Sequence, residues 1–208
     1  MKIRADFLLL PLAILVSTTF GLMAVLAACT VYAQPSAAQT ENRNRLIATN
    51  SCVACDLKAD LRQADLSRAD LRGAFLIGAN LSKARLVGVD LSGAVIGGSV
   101  MSGAELQGSN LSRVNANRTS FTQADLAGVD FSDALLERAD LEGANLHGAN
   151  FKNADLYEAR FLFSGLADTN FSGANLHAAD FSEADISGMR TDASTTCPDL
   201  NPGPCVFQ

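Results

Sequence analysis

The sequence predicts an all-β chain that turns a corner every five residues and stacks on itself as a four-sided solenoid. Three observations predict it. Stepping by five from Leu61 to Ile186 gives 26 positions that hold 16 Leu, 6 Phe, 2 Ile, Met101 and Ala116, so this column is apolar throughout. Two residues before each lies a second column, from Ala59 to Ala184, of 18 Ala, 3 Val, 3 Ser and 2 Thr, so this one is small throughout. No insertion breaks either column across residues 59–188.

The period excludes the common elements. Five residues of α-helix advance about 500°, which would scatter successive centres around the cylinder. Five steps along a flat strand send the next centre to the opposite face. The observed apolar spacing alternates two and three and matches neither 3.6 nor 2.0. A corner every five residues restores the inward direction on each new side. Four corners close a coil of about 20 residues, giving about 6.5 coils, each pairing with its neighbours at roughly 4.8 Å. Every twentieth residue then forms a ladder. Leu61, Leu81 and Met101 begin the first side, and Leu66, Leu86 and Leu106 the second. Leu71, Leu91 and Leu111 begin the third, and Leu76, Ile96 and Ala116 the fourth.

Residue types follow from this geometry. An axial shaft at native packing density has room for one large residue per unit, so the second column must be small. Gly recurs two residues after the centre, as at Gly73, Gly88 and Gly148, where a corner needs permissive backbone. Asp and Asn dominate just before the centre, as at Asp60, Asp65, Asn80, Asn110 and Asn145, where short side chains bond nearby backbone in turns. Their number therefore reflects turn chemistry, not catalysis.

The flanks differ. Lys2 and Arg4 precede an apolar run from Phe7 to Ala28, the pattern of an export signal over residues 1–33. Two processing sites compete: Val31-Tyr32-Ala33 before Gln34, and Leu26-Ala27-Ala28-Cys29, which looks like a lipobox with Cys29 as the lipidated residue. The run is also long enough for an uncleaved anchor. Either lipidation or an anchor would attach the chain to a membrane through its N-terminus. Residues 34–50 are polar and read as a tether, 51–58 as an N-terminal cap, and 189–208 as a C-terminal cap or tail.

Apart from Cys29, the cysteines form two local pairs, Cys52 with Cys55 and Cys197 with Cys205, one beyond each end of the repeat. Disulfides persist in exported compartments, and of three connectivities the local pairing keeps the two ends of the array separate. Cys52-Val53-Ala54-Cys55 also matches a thiol–disulfide redox motif, but the βαβ setting that activates such thiols is missing. A metal site would need Cys197 and Cys205 to meet it from the far end.

The stretches Ala59-Asp60-Leu61-Arg62-Gln63, Ala79-Asn80-Leu81-Ser82-Lys83 and Ala144-Asn145-Leu146-His147-Gly148 resemble the pentapeptide-repeat family, whose consensus is A(D/N)LXX. The resemblance implies a right-handed quadrilateral β-helix. The lead-in 46–57 is similar to the capping segment before the repeats of exported members from photosynthetic bacteria, and Leu57 is one residue out of register with Leu61. The segment 195–201 looks like the non-repeat ending such proteins carry. These readings place the chain in a periplasm or a thylakoid lumen.

The same residues exclude several functions. Trp is absent, Tyr numbers two and the net charge is −6, so neither a basic groove nor a stacking platform for nucleic acid is expected. His147 and His177 both point outward by the register, and no phosphate-binding loop, metal cluster or cofactor motif accompanies them. No enzyme activity is expected. The family resemblance raises one further alternative, an acidic DNA mimic that binds topoisomerases, which export would disfavour. What remains is an interaction or scaffold module whose protein partner docks on the outer faces. Phe75 and Val95 share an outward column with Ile77 and Val100 close by, Leu135 lies past Asn115, and Leu162 and Phe163 form a second apolar pair. Such patches mark a binding face unless the lead-in or the tail covers them.

Overall fold

Each five-residue unit solves the same hydrogen-bonding problem, because a chain that turns so often cannot pair as a long strand. The computed structural model describes residues 36–58, 60–200 and 203–205. The apolar run from Phe7, both processing sites and Cys29 lie outside the described residues. In the unit Val89–Gly93, the Val89 N–H donates to the Leu86 carbonyl at 3.1 Å and closes the corner. The Asp90 N–H donates to Ala69 of the preceding coil at 3.0 Å, and the N–H groups of Leu91 and Gly93 donate to Asn110 and Ser112 of the following coil at 2.8 and 2.9 Å. The fifth amide, Ser92, donates to the Asp90 Oδ1 at 3.0 Å. All five amides are therefore satisfied, as buried backbone requires. The Asp or Asn column is what completes the set.

The corner has the pattern of a type II turn, with positive φ at its third residue. Gly93 sits there at +66°, and so do Arg113 at +56° and Phe163 at +57°. Because each side is so short, coils meet through single-residue parallel bridges, and the described residues form no extended strand. On the fourth side the bridges run Phe75, Val95, Asn115, Leu135, Asp155, Asn175, each twenty residues from the last. This is an all-β solenoid assembled from bridges.

The large column fills the axis. Phe131, Phe151 and Phe171 stack with centroids 4.9 and 5.1 Å apart and planes within 5°. Phe161 and Phe181 stack at 4.8 Å on the first side, and Phe161 meets Phe171 edge-on at 5.7 Å. The coil spacing of about 4.8 Å is also a favourable ring spacing, so aromatic ladders fit without strain. Four of the five hydroxyls in the small column reach a carbonyl: Ser109 bonds Leu86 at 2.8 Å, Thr119 bonds Ile96 at 2.9 Å, Thr169 bonds Leu146 at 3.0 Å and Ser164 bonds Phe161 at 2.7 Å, whereas the buried Ser99 hydroxyl has no partner.

Both ends differ from the sequence reading. Residues 51–58 are not a separate cap but the first half-coil. Ser51 bridges Asp70 and Asp56 bridges Phe75, nineteen residues apart instead of twenty. Leu57 is a fully buried rung beneath Leu76, and the register returns to twenty residues at the Asp60 to Asn80 bridge. At the other end Asn170 bridges Arg190 and Asn175 bridges Thr196, so the coil continues past residue 188 with one residue added. The polar tether expected over 34–50 is instead a helix, α1, Ala37–Thr49. Ser36 and Gln39 form its capping box, and Asn50 ends it in the left-handed conformation. Leu46 is its one buried residue, set over Leu61 and Leu66 above a cavity of about 340 Å³. Asn42 bonds the Asp56 carbonyl at 3.0 Å, and Asn50 bonds that of Ser67 at 3.1 Å. A polar segment becomes a lid because it needs only one apolar anchor when its amides bond the open end. No helix among the described residues is long and apolar enough to cross a membrane.

Gly97 and Gly98 separate backbone strain from crowding. A Cβ at Gly98 meets nothing within 4 Å but would sit at φ +65°, whereas at Gly97 it would lie 3.5 Å from the Asn117 carbonyl with no positive φ. Gly98→Ala should lower unfolding free energy by about 1–2 kcal/mol, the cost of a left-handed L-residue, and Gly97→Ala should cost far less. Equal losses in urea denaturation would contradict this account of the corner.

Candidate interaction surface

With the centre and small columns turned inward, three positions per unit face out, and their chemistry is free to vary. On the fourth side the two rungs that follow Asp56 vary toward apolar. Phe75 is 46% exposed and Ile77 50%. Val95, bridged to Phe75, is half-buried between them and the next coil. Neither α1 nor the described part of the tail covers this surface. Corners on both flanks are Gly73, Gly78, Gly93 and Gly98, all at positive φ, so these four corner positions carry no side chain beside the patch, and exposed Asp56 and Lys58 lie one rung below it. Val100, 38% exposed, lies past the Gly98 corner on the first side. Leu135 is exposed but separated from Val95 by Asn115.

The second apolar pair is a different place. Leu162 is half-buried and Phe163, 62% exposed, stands on a corner of the first side far along the array. The structure therefore brings Phe75, Ile77 and Val95 together, sets Val100 at their edge, and leaves Leu162 and Phe163 apart. Glycine corners are the feature that sequence reasoning missed as part of a site. They were legible as turn residues, but their effect on flatness appears only once the four are seen to frame one face.

The cysteines occupy rungs. Cys52 takes a centre position, fully buried beneath Leu71, and Cys55 takes the next small-column position. They are disulfide-bonded with Cα atoms 5.6 Å apart. Cys197 takes the last centre position above Leu176 and is bonded to Cys205, Cα atoms 5.4 Å apart. His147 is exposed on the second side, and His177 is half-buried on the fourth, its ring 5.4 Å from Tyr157.

The remaining surface is a mesh of charges along and between coils. Arg85 spans Asp65 at 3.7 Å and Glu105 at 3.3 Å, and Arg160 spans Asp140 and Glu142. Arg138 pairs with Glu158 at 2.6 Å and is the main cause of that carboxyl's lowered pKa. The Arg62 side chain holds Asp60 below the usual carboxylate range, and the hydroxyls of Ser67 and Ser182 do the same for Asp65 and Asp180. Asp192 is lowered furthest, to about 2, chiefly by the Ser194 hydroxyl, with further donation from the Ser194 and Gly173 amides and Thr195.

These carboxylates are depressed in the folded state, so their stabilisation is complete above the unfolded value near 4 and is lost as pH falls toward 2. The melting temperature should drop through that window. Asp192→Asn, which keeps an acceptor but cannot titrate, should make the drop shallower, and an unchanged profile would deny Asp192 its part in closing the C-terminal end.

The family model described as pentapeptide repeats matches this chain in 8 copies, over residues 59–98, 99–138, 124–162 and 166–190. The search of curated proteins finds no match. Among solved structures the chain is similar to a pentapeptide repeat protein of the Arabidopsis thaliana thylakoid lumen, at 28% identity and TM-score 0.39, covering 49% of this chain and 67% of that one. It is also similar to HetL, a pentapeptide repeat protein involved in heterocyst differentiation regulation from the cyanobacterium Nostoc, at 26% identity and TM-score 0.26, covering 79% and 98%. QnrB1, a plasmid-mediated fluoroquinolone resistance protein, matches at 18% identity and TM-score 0.32, covering 68% and 82%. The five-residue period, the twenty-residue ladder and the span of the matching model together make this chain a member of the pentapeptide-repeat family.

Proposed function

We propose that this chain is an exported, non-catalytic interaction module, a right-handed quadrilateral solenoid of about 6.5 coils that docks a protein partner on its fourth side. The observation that carries the reading is the uncharged platform of Phe75, Ile77 and Val95 framed by four glycine corners. A patch of clustered apolar side chains is where association removes apolar area from water at least cost. The axis beneath it is filled with Leu and Phe rungs, so the solenoid offers a face and not an internal chamber.

In this reading both Cys pairs are staples, and export follows from the charged start, the apolar run and the processing sites before residue 34. Cys52 and Cys55 lie within the shaft under α1, a place suited to holding the first coil closed and poorly suited to thiol exchange with a partner. Replacing both with Ser should lower stability by about 2 kcal/mol, the loop-closure value for so short a loop. Residual thiol exchange by the wild-type chain that vanishes in this variant, without loss of stability, would restore the redox reading.

A photo-crosslinking residue introduced at position 77 of the full chain should yield a discrete adduct in envelope extracts. The same residue at position 187, on the second side, should not. Equal yield at the two positions would defeat the assignment of the docking face.

A further inference from the structure

The apolar platform stops abruptly at the third coil. Its corners there are no longer glycine but Arg113 and Arg118, at φ +56° and +59°, standing on either flank of Asn115 and Asn117. Among the described residues neither guanidinium makes an ion pair. Asp133, the corner residue one coil beyond Arg113, instead accepts the Asn153 amide at 3.1 Å. Arg138, one coil beyond Arg118, is held by Glu158 and Glu137. Two free cations thus border one edge of an uncharged apolar surface, on a chain whose net charge is −6.

We propose that the fourth side recognises a short acidic–apolar segment of its partner protein, with apolar side chains on Phe75, Ile77 and Val95 and carboxylates at Arg113 and Arg118. The inference rests on the docking role proposed above and adds the chemistry of the ligand. Guanidinium groups pair with carboxylates through planar, often bidentate hydrogen bonds, and two unpaired ones beside a platform set both the orientation and the sign of what binds. Coil spacing sets the size. Two apolar coils are about 10 Å tall. With no more than five residues to a side, such a platform offers on the order of 200 Å², far below the roughly 800 Å² per partner of a stable self-dimer, and it suits one short segment instead. An extended chain advances about 3.3 Å per residue, so the acidic residues belong two to four positions from the apolar anchors. A nucleic acid would need a longer basic track than two corners, and the coils beyond carry Glu137, Asp155 and Glu158.

The test uses the full chain and labelled synthetic peptides carrying Leu-Ile-Phe beside Asp-Glu, in both orders, with Lys-Arg versions as counterparts, read by fluorescence anisotropy. The acidic peptides should bind about tenfold tighter than the basic ones, the effect of two exposed ion pairs of ordinary strength, and added salt should close the gap. Arg113→Glu combined with Arg118→Glu should abolish the preference. Ile77→Asp should weaken both peptide classes, and Arg68→Glu, on another corner, should change neither. Unchanged melting temperatures would show that these exposed substitutions leave the fold intact. Equal affinity for the two peptide classes, or a preference that survives the double Arg variant, overturns the proposal. So does binding to phosphatidylglycerol vesicles through the Arg pair without peptide binding, or dimerisation of the chain that Ile77→Asp abolishes. Sensitivity to Ile77→Asp alone would leave the docking face standing and remove only its acidic specificity. Indifference to every variant, with no adduct at position 77, would remove both.

Discussion

The structure depends on one constraint: every backbone amide must find a partner although the chain changes direction every five residues. Long strands would meet it with neighbours alone, but here each side is too short. The solution divides the amides. Three per unit go to adjacent coils, one closes the corner, and in the units that carry Asp or Asn before the centre one goes to that side chain, as Asp90 does for Ser92, while Glu137 of the Leu135 unit donates to Asn117 of the preceding coil. The periodic carboxylates are therefore structural and not an acidic active site, and the lowered pKa values of Asp60, Asp65, Asp70, Asp180 and Asp185 follow from the donors they accept. The same ladder brings Asn and Asp of successive coils together, as where Asn150 donates to Asp130 at 2.9 Å.

The corner has consequences for the surface. Its third residue must take positive φ, and Gly does so without a Cβ penalty. Where the position carries another residue, that side chain stands out from the edge between two faces. The choice at this one column therefore shapes relief as well as stability: Gly73, Gly78, Gly93 and Gly98 leave a level platform, and Arg113 and Arg118 raise posts beside it. A distinctive surface arises from substitutions that the core never senses, which is how a uniform scaffold acquires a particular face.

The ends obey the same rule in altered form. A terminal coil leaves apolar rungs and unpaired backbone exposed. At the N-terminal end α1 covers them with Leu46 and with side-chain amides, and at both ends a cysteine takes a rung position, so that each disulfide grows out of the shaft itself. The one-residue addition between Arg190 and Thr196 is absorbed at a corner, where the backbone has most freedom.

The sequence by itself determined the coil, its period, its inward columns and the outward position of Phe75, Ile77 and Val95, because a strict period of five leaves only one way to keep Leu and Phe out of water. It also carried signals that a hydropathy reading passes over. Ser36 with Gln39 marks a capping box, and Asn50 marks a helix end, yet α1 looked like a tether because its single apolar anchor, Leu46, has no partner within its own segment. Tertiary structure decided the rest. Only stacking shows that Cys52, Leu57 and Cys197 are rungs despite their slipped register, since a corner can gain or lose a residue without moving the next side. Only stacking sets four glycines around one apolar face, with two unpaired arginines at its edge, because residues twenty apart in sequence become neighbours through the coil spacing and nothing else.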